Sequence, residues 1–398
     1  MSAPGPLDGV IVLDLGQIYA GPYAAFLMAM AGATVIKVEP PGSGENLRGR
    51  GKAGDSLPFV MLNRNKLGVS INLKDARGRD LLMSLVEKAD VLVENFAPGV
   101  LDRLGCGWSV LSERNSRLIY ASSTGYGLSG PRRGQLAMDL TVQAMSGVIA
   151  CTGFPEHPPV KAGPAISDFL AGVHLFGGVM AALFERTRTG RGRLVEVSML
   201  EATFPTLSSG LAMWHASGGK APLQTGNRHS SLAEAPYNVY PASDGYVAII
   251  CVNENHWRSL CEAMNRPDMV EDARFLTRLA RASRIDELDK LISAWTSTWP
   301  RDALAGQLNQ HDVPNAPVRD LAEVVCDPHL HERGSLQWVD HPQLGRIVVM
   351  GSPIRFAGSE SLDFKSSVSV GGNNEEVFVG MLGRTKTELE ALCLDGVI

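Results

Sequence analysis

Basic residues are in the minority in this 398-residue sequence: Lys and Arg number 37 against 42 Asp and Glu, a formal net charge of −5. The electrostatic footprint of a nucleic-acid binder is therefore missing. The most apolar run, Val173 to Phe184, is short and interrupted by Gly177 and Gly178, whereas a bilayer-crossing helix needs about 20 residues. No membrane span is expected. The six cysteines form neither a C-x-x-C pair nor a disulfide framework, and the amino terminus lacks the basic start and apolar middle of a secretory signal. A reducing, cytoplasmic setting is the expectation. His329 and His331 have no neighbouring Cys or Glu at zinc-ligand spacing, so no metal is expected. Neither G-x-x-x-x-G-K-[ST] nor G-x-S-x-G occurs, which removes the simplest nucleoside-triphosphate and serine-nucleophile readings.

What is present reads as a globular chain with a sizeable core, since hydrophobic residues make up 44% and charged residues 20%. The length favours two or three domains, or one large fold with an insertion. Apolar runs at 10–15, 34–39, 67–73, 91–95 and 117–123 alternate with helical patterns at 23–31, 76–88 and 100–104. Strands separated by single helices pair in parallel through right-handed crossovers, giving an open α/β sheet whose ligands sit at the strands' carboxyl ends. A long apolar helix is predicted over 168–186, closed by Thr189-Gly-Arg-Gly-Arg193 and followed by a strand at 194–199. From about 225 the texture changes to a polar loop, a short β unit at 238–252 and Trp-bearing helices. The chain then returns to β at 346–356 and ends in a helix at 374–392. The division expected is 1–224, 225–325 as a smaller α+β domain, and 326–398 returning to the first domain.

Two motifs invite chemistry. Gly42-Ser-Gly-Glu-Asn-Leu47 suggests a dinucleotide loop, but it follows the second strand and lacks a third glycine. Asp168 opens the long apolar helix, where an aspartate commonly caps free N–H groups. A carboxylate beside apolar surface also serves as a nucleophile toward an activated thioester. Spacing does not choose between these readings.

Several segments together resemble the class III coenzyme A transferases, the family of formyl-CoA transferase, carnitine CoA-transferase and the related α-methylacyl-CoA racemases. They are Leu7-Asp-Gly-Val-Ile-Val-Leu-Asp14, Ala20-Gly-Pro-Tyr23, Gly32-Ala-Thr-Val-Ile-Lys-Val-Glu39, Asn63-Arg-Asn-Lys66, Asp90-Val-Leu-Val-Glu-Asn-Phe96, Thr189-Gly-Arg-Gly-Arg193 and the ending Gly396-Val-Ile398. The resemblance implies a Rossmann-like large domain formed by both chain ends, a smaller domain between them, and a homodimer of interlocked subunits. It implies an acyl-CoA:carboxylate CoA-transferase, with coenzyme A carried as substrate and a carboxylic acid, succinyl or another dicarboxylyl group among the candidates, as partner. Asp168 matches the family nucleophile and Gln17 a glutamine near the reacting centre. Asn72, Leu73 and Lys74 match a segment lining the CoA site, Asn95 and Phe96 residues flanking CoA, and Arg103 a phosphate contact; Lys37 is a weaker match for another.

Arg48, Arg50, Arg64, Arg228 and His229 are loop candidates for the far end of an acceptor acid. Met138 stands where the racemases carry a histidine, and methionine cannot move a proton. The small domain reads Cys251-Val-Asn-Glu-Asn-His256 where formyl-CoA transferase has a glycine run. An α-methylacyl-CoA racemase and a non-catalytic acyl-CoA-binding protein are the alternatives.

Overall fold

The computed structural model describes residues 5–49, 55–358 and 362–398; Arg50 lies outside them. In chain order the first elements are β1 (Ile11–Asp14), α1 (Ala20–Met30), β2 (Thr34–Glu39), α2 (Leu57–Asn63), β3 (Leu67–Ser70), α3 (Ala76–Val86), β4 (Val91–Glu94), α4 (Val100–Arg103), α5 (Trp108–Arg114), β5 (Ile119–Thr124) and α6 (Asp139–Ser146). There follow a single turn α7 (Val148–Cys151), the long α8 (Ile166–Thr189), β6 (Leu194–Ser198) and α9 (Met199–Thr203). The chain packs as two compact units: one of residues 1–146, 164–203 and 327–398, the other of 147–163 and 204–326.

The first unit is built on a six-stranded parallel sheet in the order β3-β2-β1-β4-β5-β6. Adjacent strand residues point to opposite faces, so a strand covered on both sides must be apolar throughout. In β1, Leu13 joins Ile36, Leu81, Leu85 and Phe378 on one face, while Val12 joins Val35, Ala25, Met28, Leu175 and Val179 on the other. Strand order reverses between β1 and β4, which places a crevice at their carboxyl ends.

Helix α8 is 24 residues long and ends at Gly190, whose φ of 68° makes the left-handed stop natural for glycine. By length and composition it is apolar enough to cross a membrane. The expectation of no membrane span was drawn from the shorter run Val173 to Phe184 within this helix. Here Ala171, Leu175, Val179 and Ala182 are buried along the helix, and Leu175, Val179 and Ala182 pack in the core on that face of the sheet. A Cβ on Gly172 would sit 2.8 Å from the Ala20 carbonyl oxygen, so glycine is what lets α8 and α1 approach this closely.

At the carboxyl end two elements differ from the sequence reading. An antiparallel hairpin, Leu336–His341 with Gly345–Met350, replaces the strand expected at 346–356. The final helix is divided: Glu375–Met381 has wide, π-type turns, Gly383 adopts φ 71°, and Lys386–Leu394 restarts with Thr385 and Glu388 in a reciprocal cap. Helical periodicity continues across the break, but a left-handed glycine and a new cap end one helix and begin another.

The second unit holds a three-stranded antiparallel sheet, Tyr237–Ala242, Gly245–Ile250 and Asn315–Pro317, over a core that includes Tyr240, Trp257, Phe275, Leu288 and Ile292. It begins earlier than the textural boundary at 225 and recruits 147–163. Gln224 donates to the Thr152 carbonyl (3.3 Å) and the Gly226 N–H to the Gly153 carbonyl (3.1 Å). Such links between distant segments leave no compositional trace.

Candidate active site

The crevice is founded on a buried ion cluster beneath the loop between β1 and α1. Asp14 accepts from the Gly16 N–H (2.8 Å) and from Lys66 Nζ (2.7 Å), with Lys37 Nζ at 3.7 Å. Lys66 also donates to the Pro22 carbonyl and to Asn63 Oδ1, both 3.0 Å, and Lys37 to the Gly16 carbonyl. Burial would raise the Asp14 carboxyl, but the two lysines outweigh it and hold the group below the usual carboxylate range. Burial brings Lys66 down to about 8 against the pull of Asp14. Lys37 is 2% exposed; its ammonium supports the loop, which differs from the phosphate contact suggested by sequence.

On this base Gln17 is clamped from two sides. Its N–H donates to Asn95 Oδ1 (2.6 Å), and Asn95 Nδ2 returns a bond to the Gln17 carbonyl (2.9 Å). Asn46 Nδ2 donates to Gln17 Oε1 (2.8 Å), which leaves the Gln17 amide N–H groups available for a ligand. Ile18 holds φ 63°, a conformation rare for a β-branched residue, and its N–H donates to Glu45 Oε2 (2.9 Å). The loop Gly42-Ser-Gly-Glu-Asn-Leu47 thus delivers Glu45 and Asn46 to the β1–α1 turn. Glu94 ends β4 by accepting from the Phe96 N–H (2.8 Å), and its burial raises the carboxyl to about 7.

Asp168 lies in the first turn of α8 but does not cap it. The Ser167 N–H (2.8 Å) and the Asp168 N–H (3.3 Å) donate to Asp139 Oδ1 from α6, while Gln143 Nε2 donates to Asp139 Oδ2 (2.6 Å). Another carboxylate therefore satisfies the helix start. The Asp168 side chain faces a cavity of about 260 Å³ lined also by Gln17, Asn46, Asn95, Phe96 and Met138. Burial first, and the Asp139 charge second, raise the Asp168 carboxyl to about 7. A helix start by itself favours the ionised form; here burial and the Asp139 charge act in the opposite direction. Ser123 Oγ, from the end of β5 in the same wall, is buried with no partner among the described residues.

The remaining candidates distribute as follows. Asn72, Leu73 and Lys74 follow β3 at the same edge of the sheet; the Asn72 N–H donates to the Val397 carbonyl (2.8 Å) and Asn72 Oδ1 accepts from the Lys74 N–H (3.1 Å). They lie outside the Asp168 cavity. Arg103 is exposed at the end of α4. Arg48 is taken up by Glu39 (2.7 and 2.8 Å) and Asp55 (2.8 Å), so its fork is occupied rather than offered to an acid. Arg64 lines a different cavity. In the second unit Arg228 is paired with Asp286 (2.7 Å) and Asp289 (2.8 Å), and His229 Nδ1 lies 2.6 Å from Ser231 Oγ. Asp139, Glu45 and Asn46 were not singled out by sequence reasoning. The signal for Asp139 was an aspartate opening one helix near a second helix start that has no cap of its own.

Comparison with known proteins places these residues in a family. Residues 7–367 match the family model described as CoA-transferase family III. An acetyl-CoA:oxalate CoA-transferase of Acetobacter aceti is 39% identical over 357 residues, 89% of this chain and 90% of that protein. A succinyl-CoA–D-citramalate CoA-transferase of Chloroflexus aurantiacus is 35% identical over 399 residues, 99% of this chain and 98% of that protein. Among solved structures, a CAIB/BAIF family protein from Brucella suis superposes with a TM-score of 0.83 at 31% identity, covering 95% of this chain and 100% of that one.

Proposed function

The chain belongs to CoA-transferase family III, and from that premise we propose that it moves CoA from an acyl-CoA to a dicarboxylic acid, with Asp168 as nucleophile. The observation that carries this reading is a carboxylate released from capping by Asp139 and turned into a cavity lined by amides. Relatives named for oxalate, D-citramalate and mesaconate support a dicarboxylate.

In the proposed sequence an Asp168 oxygen attacks the thioester carbonyl, forming an aspartyl-acyl anhydride and expelling CoA thiolate. The thiolate attacks the aspartyl carbonyl, releasing the donor acid and leaving an aspartyl-CoA thioester. The acceptor carboxylate attacks that thioester and frees the thiolate again. Thiolate attack on the acceptor's own carbonyl then gives the new acyl-CoA and restores Asp168. Each tetrahedral intermediate needs N–H donors. The Gln17 amide, held in orientation by Asn46, supplies them. CoA reaches this point over Asn95 and Phe96, with Asn72, Leu73, Lys74 and Arg103 along the same edge of the sheet.

Mass spectrometry of the protein mixed with panels of acyl-CoA donors and carboxylic acids tests this reading. New CoA thioesters together with an acyl or CoA adduct at Asp168 are expected; neither product from any pair overturns it.

Two further results are expected. Ionisation of Asp168 near 7 puts the acid limb of the initial-rate profile there, with activity lost as pH falls through it. Asp139→Asn keeps an acceptor for the Ser167 N–H but removes the like charge, so the limb moves to lower pH; an unmoved limb excludes Asp139 as a cause. The segment 136–145 exposes Leu136 (83%), Met138 (56%), Leu140 (53%) and Met145 (44%), a cluster suited to burial against a second copy. Light scattering should return twice the 42.7 kDa chain mass, and a monomer at micromolar concentration removes the homodimer.

A further inference from the structure

Arg64 is fully buried, 0% exposed, yet among the described residues no carboxylate acts on it and its guanidinium partners are Gln337 and Met30. Its Nε has no hydrogen-bond partner among the described residues. Nη1 reaches Gln337 Oε1 at 3.4 Å and Nη2 the Met30 sulfur at 3.5 Å, both marginal contacts and one to a weak acceptor. The faces of Phe364 (5.6 Å) and Phe26 (5.9 Å) give partial compensation. Burial lowers its ionisation to about 10, which still leaves the guanidinium charged at neutral pH.

The other deeply buried arginines are treated differently. Arg281 is paired with Glu254 (2.9 and 3.0 Å), Arg186 with Asp90 (2.7 Å) and Arg48 with Glu39. A buried charge without a counter-charge is costly. At Arg64 the place of a counter-ion is taken by a cavity of about 660 Å³, within the range of small-ligand pockets.

Two more arginines, Arg333 and Arg355, line this cavity, and both are exposed. The polar contact of the Arg355 guanidinium is Ser335 Oγ at 3.4 Å. Ile354 and Phe356 add apolar wall, and Asp363 is the one carboxylate in the lining among the described residues. The cavity adjoins Met30 and Gly32, ahead of β2, while Arg64 stands ahead of β3. It is therefore at the amino-terminal edge of the sheet, opposite the edge that carries Asp168.

We propose that this cavity binds a small organic oxyanion, its carboxylate or phosphate group held by Arg64 and reached from the rim by Arg333 and Arg355, its body lying against Ile354 and Phe356. The buried fork supplies directed donors and the two rim arginines supply attraction.

Thermal unfolding of the full chain, titrated with succinate and separately with inorganic phosphate at constant ionic strength, tests the site and distinguishes the two chemistries. A saturable rise in Tm of about 3–5 °C is expected at a hundredfold excess over Kd for the anion that fits. It should vanish in Arg64→Met and need at least about tenfold more anion in Arg333→Gln/Arg355→Gln. Carboxylate binding beside Asp168 survives both changes, so the difference between variants isolates this cavity. Where Arg64→Met fails to fold, the double variant, altered at two exposed side chains, decides alone. An equal Tm response in wild type and variants, or none to either anion, overturns the proposal. So does a crystal structure with a carboxylate of a second copy bonded to Arg64 Nε.

Discussion

Asp168→Asn is expected to lower turnover by at least about 10³-fold, to remove every acyl and CoA adduct at that position, and to leave the protein folded and able to bind CoA esters. The size follows from covalent chemistry: an amide oxygen cannot form the anhydride, and the remaining amides bind without reacting. The same substitution should make the protein more stable at alkaline pH. In the native state the Asp168 carboxyl titrates near 7, against 3.8 as its ordinary value. Between these values the folded state binds more protons than the unfolded, so stability falls as pH rises through the window. Removing the ionisable group abolishes that loss. The gain above pH 7 has a ceiling of about 4 kcal/mol by the size of the shift, and about 1–2 kcal/mol is expected for a half-buried group beside solvent. Unfolding curves at pH 4 and pH 8 check it: the variant should gain at pH 8 and match wild type at pH 4. Loss of activity without the alkaline gain would mean that Asp168 ionises normally.

The second large effect is structural and lies beneath the site. Asp14→Ala leaves Lys37 and Lys66 buried side by side with their shared carboxylate gone. Breaking such a group from one side typically costs about 3–5 kcal/mol, a large part of the roughly 5–15 kcal/mol that holds a protein folded. Urea unfolding should show the midpoint falling with an unchanged slope. Adding Lys66→Met should restore part of the loss, because Lys66 is then removed with its partner while Lys37 keeps Glu45 at 3.9 Å. Turnover in Asp14→Ala should also fall, since Asp14 holds the Gly16 N–H and with it the approach to Gln17. A variant as stable as wild type would show that water or another acid satisfies the lysines.

How far the sequence carried this account depends on the range of the interactions involved. The strand from Thr34 to Glu39 was legible to the residue, because apolar strands in a parallel sheet announce themselves locally and Gly32 stops the helix before it. The division of the final helix was not, since periodicity runs through Gly383 and only its left-handed backbone marks the break. At the candidate site, Asp168, Gln17, Asn95 and Phe96 come together in one cavity, and the family resemblance was what drew attention to them. Composition and spacing had left Asp168 undecided between cap and nucleophile. Asp139, 29 residues earlier in the chain, supplies the cap, which removes the capping reading and leaves the nucleophile as the proposal. The arginines were the least legible. In sequence Arg48, Arg64 and Arg228 are equivalent cations in loops, whereas in the fold two are locked to carboxylates and one is buried with none among the described residues. Availability of a charge is set by its partners, and those lie far away along the chain.

The central claim is that Asp168 carries the acyl group covalently, and oxygen transfer tests it most directly. The protein would be turned over with an acyl-CoA donor and an acceptor acid labelled with ¹⁸O in its carboxylates, and the peptide containing Asp168 then weighed. In the proposed sequence the bridging oxygen of the second anhydride comes from the acceptor and stays on the aspartate. The peptide should therefore gain about 2 Da after one turnover, and the label should pass to released donor acid in the next. New acyl-CoA formed with an unlabelled Asp168 and an unlabelled donor acid would contradict the account.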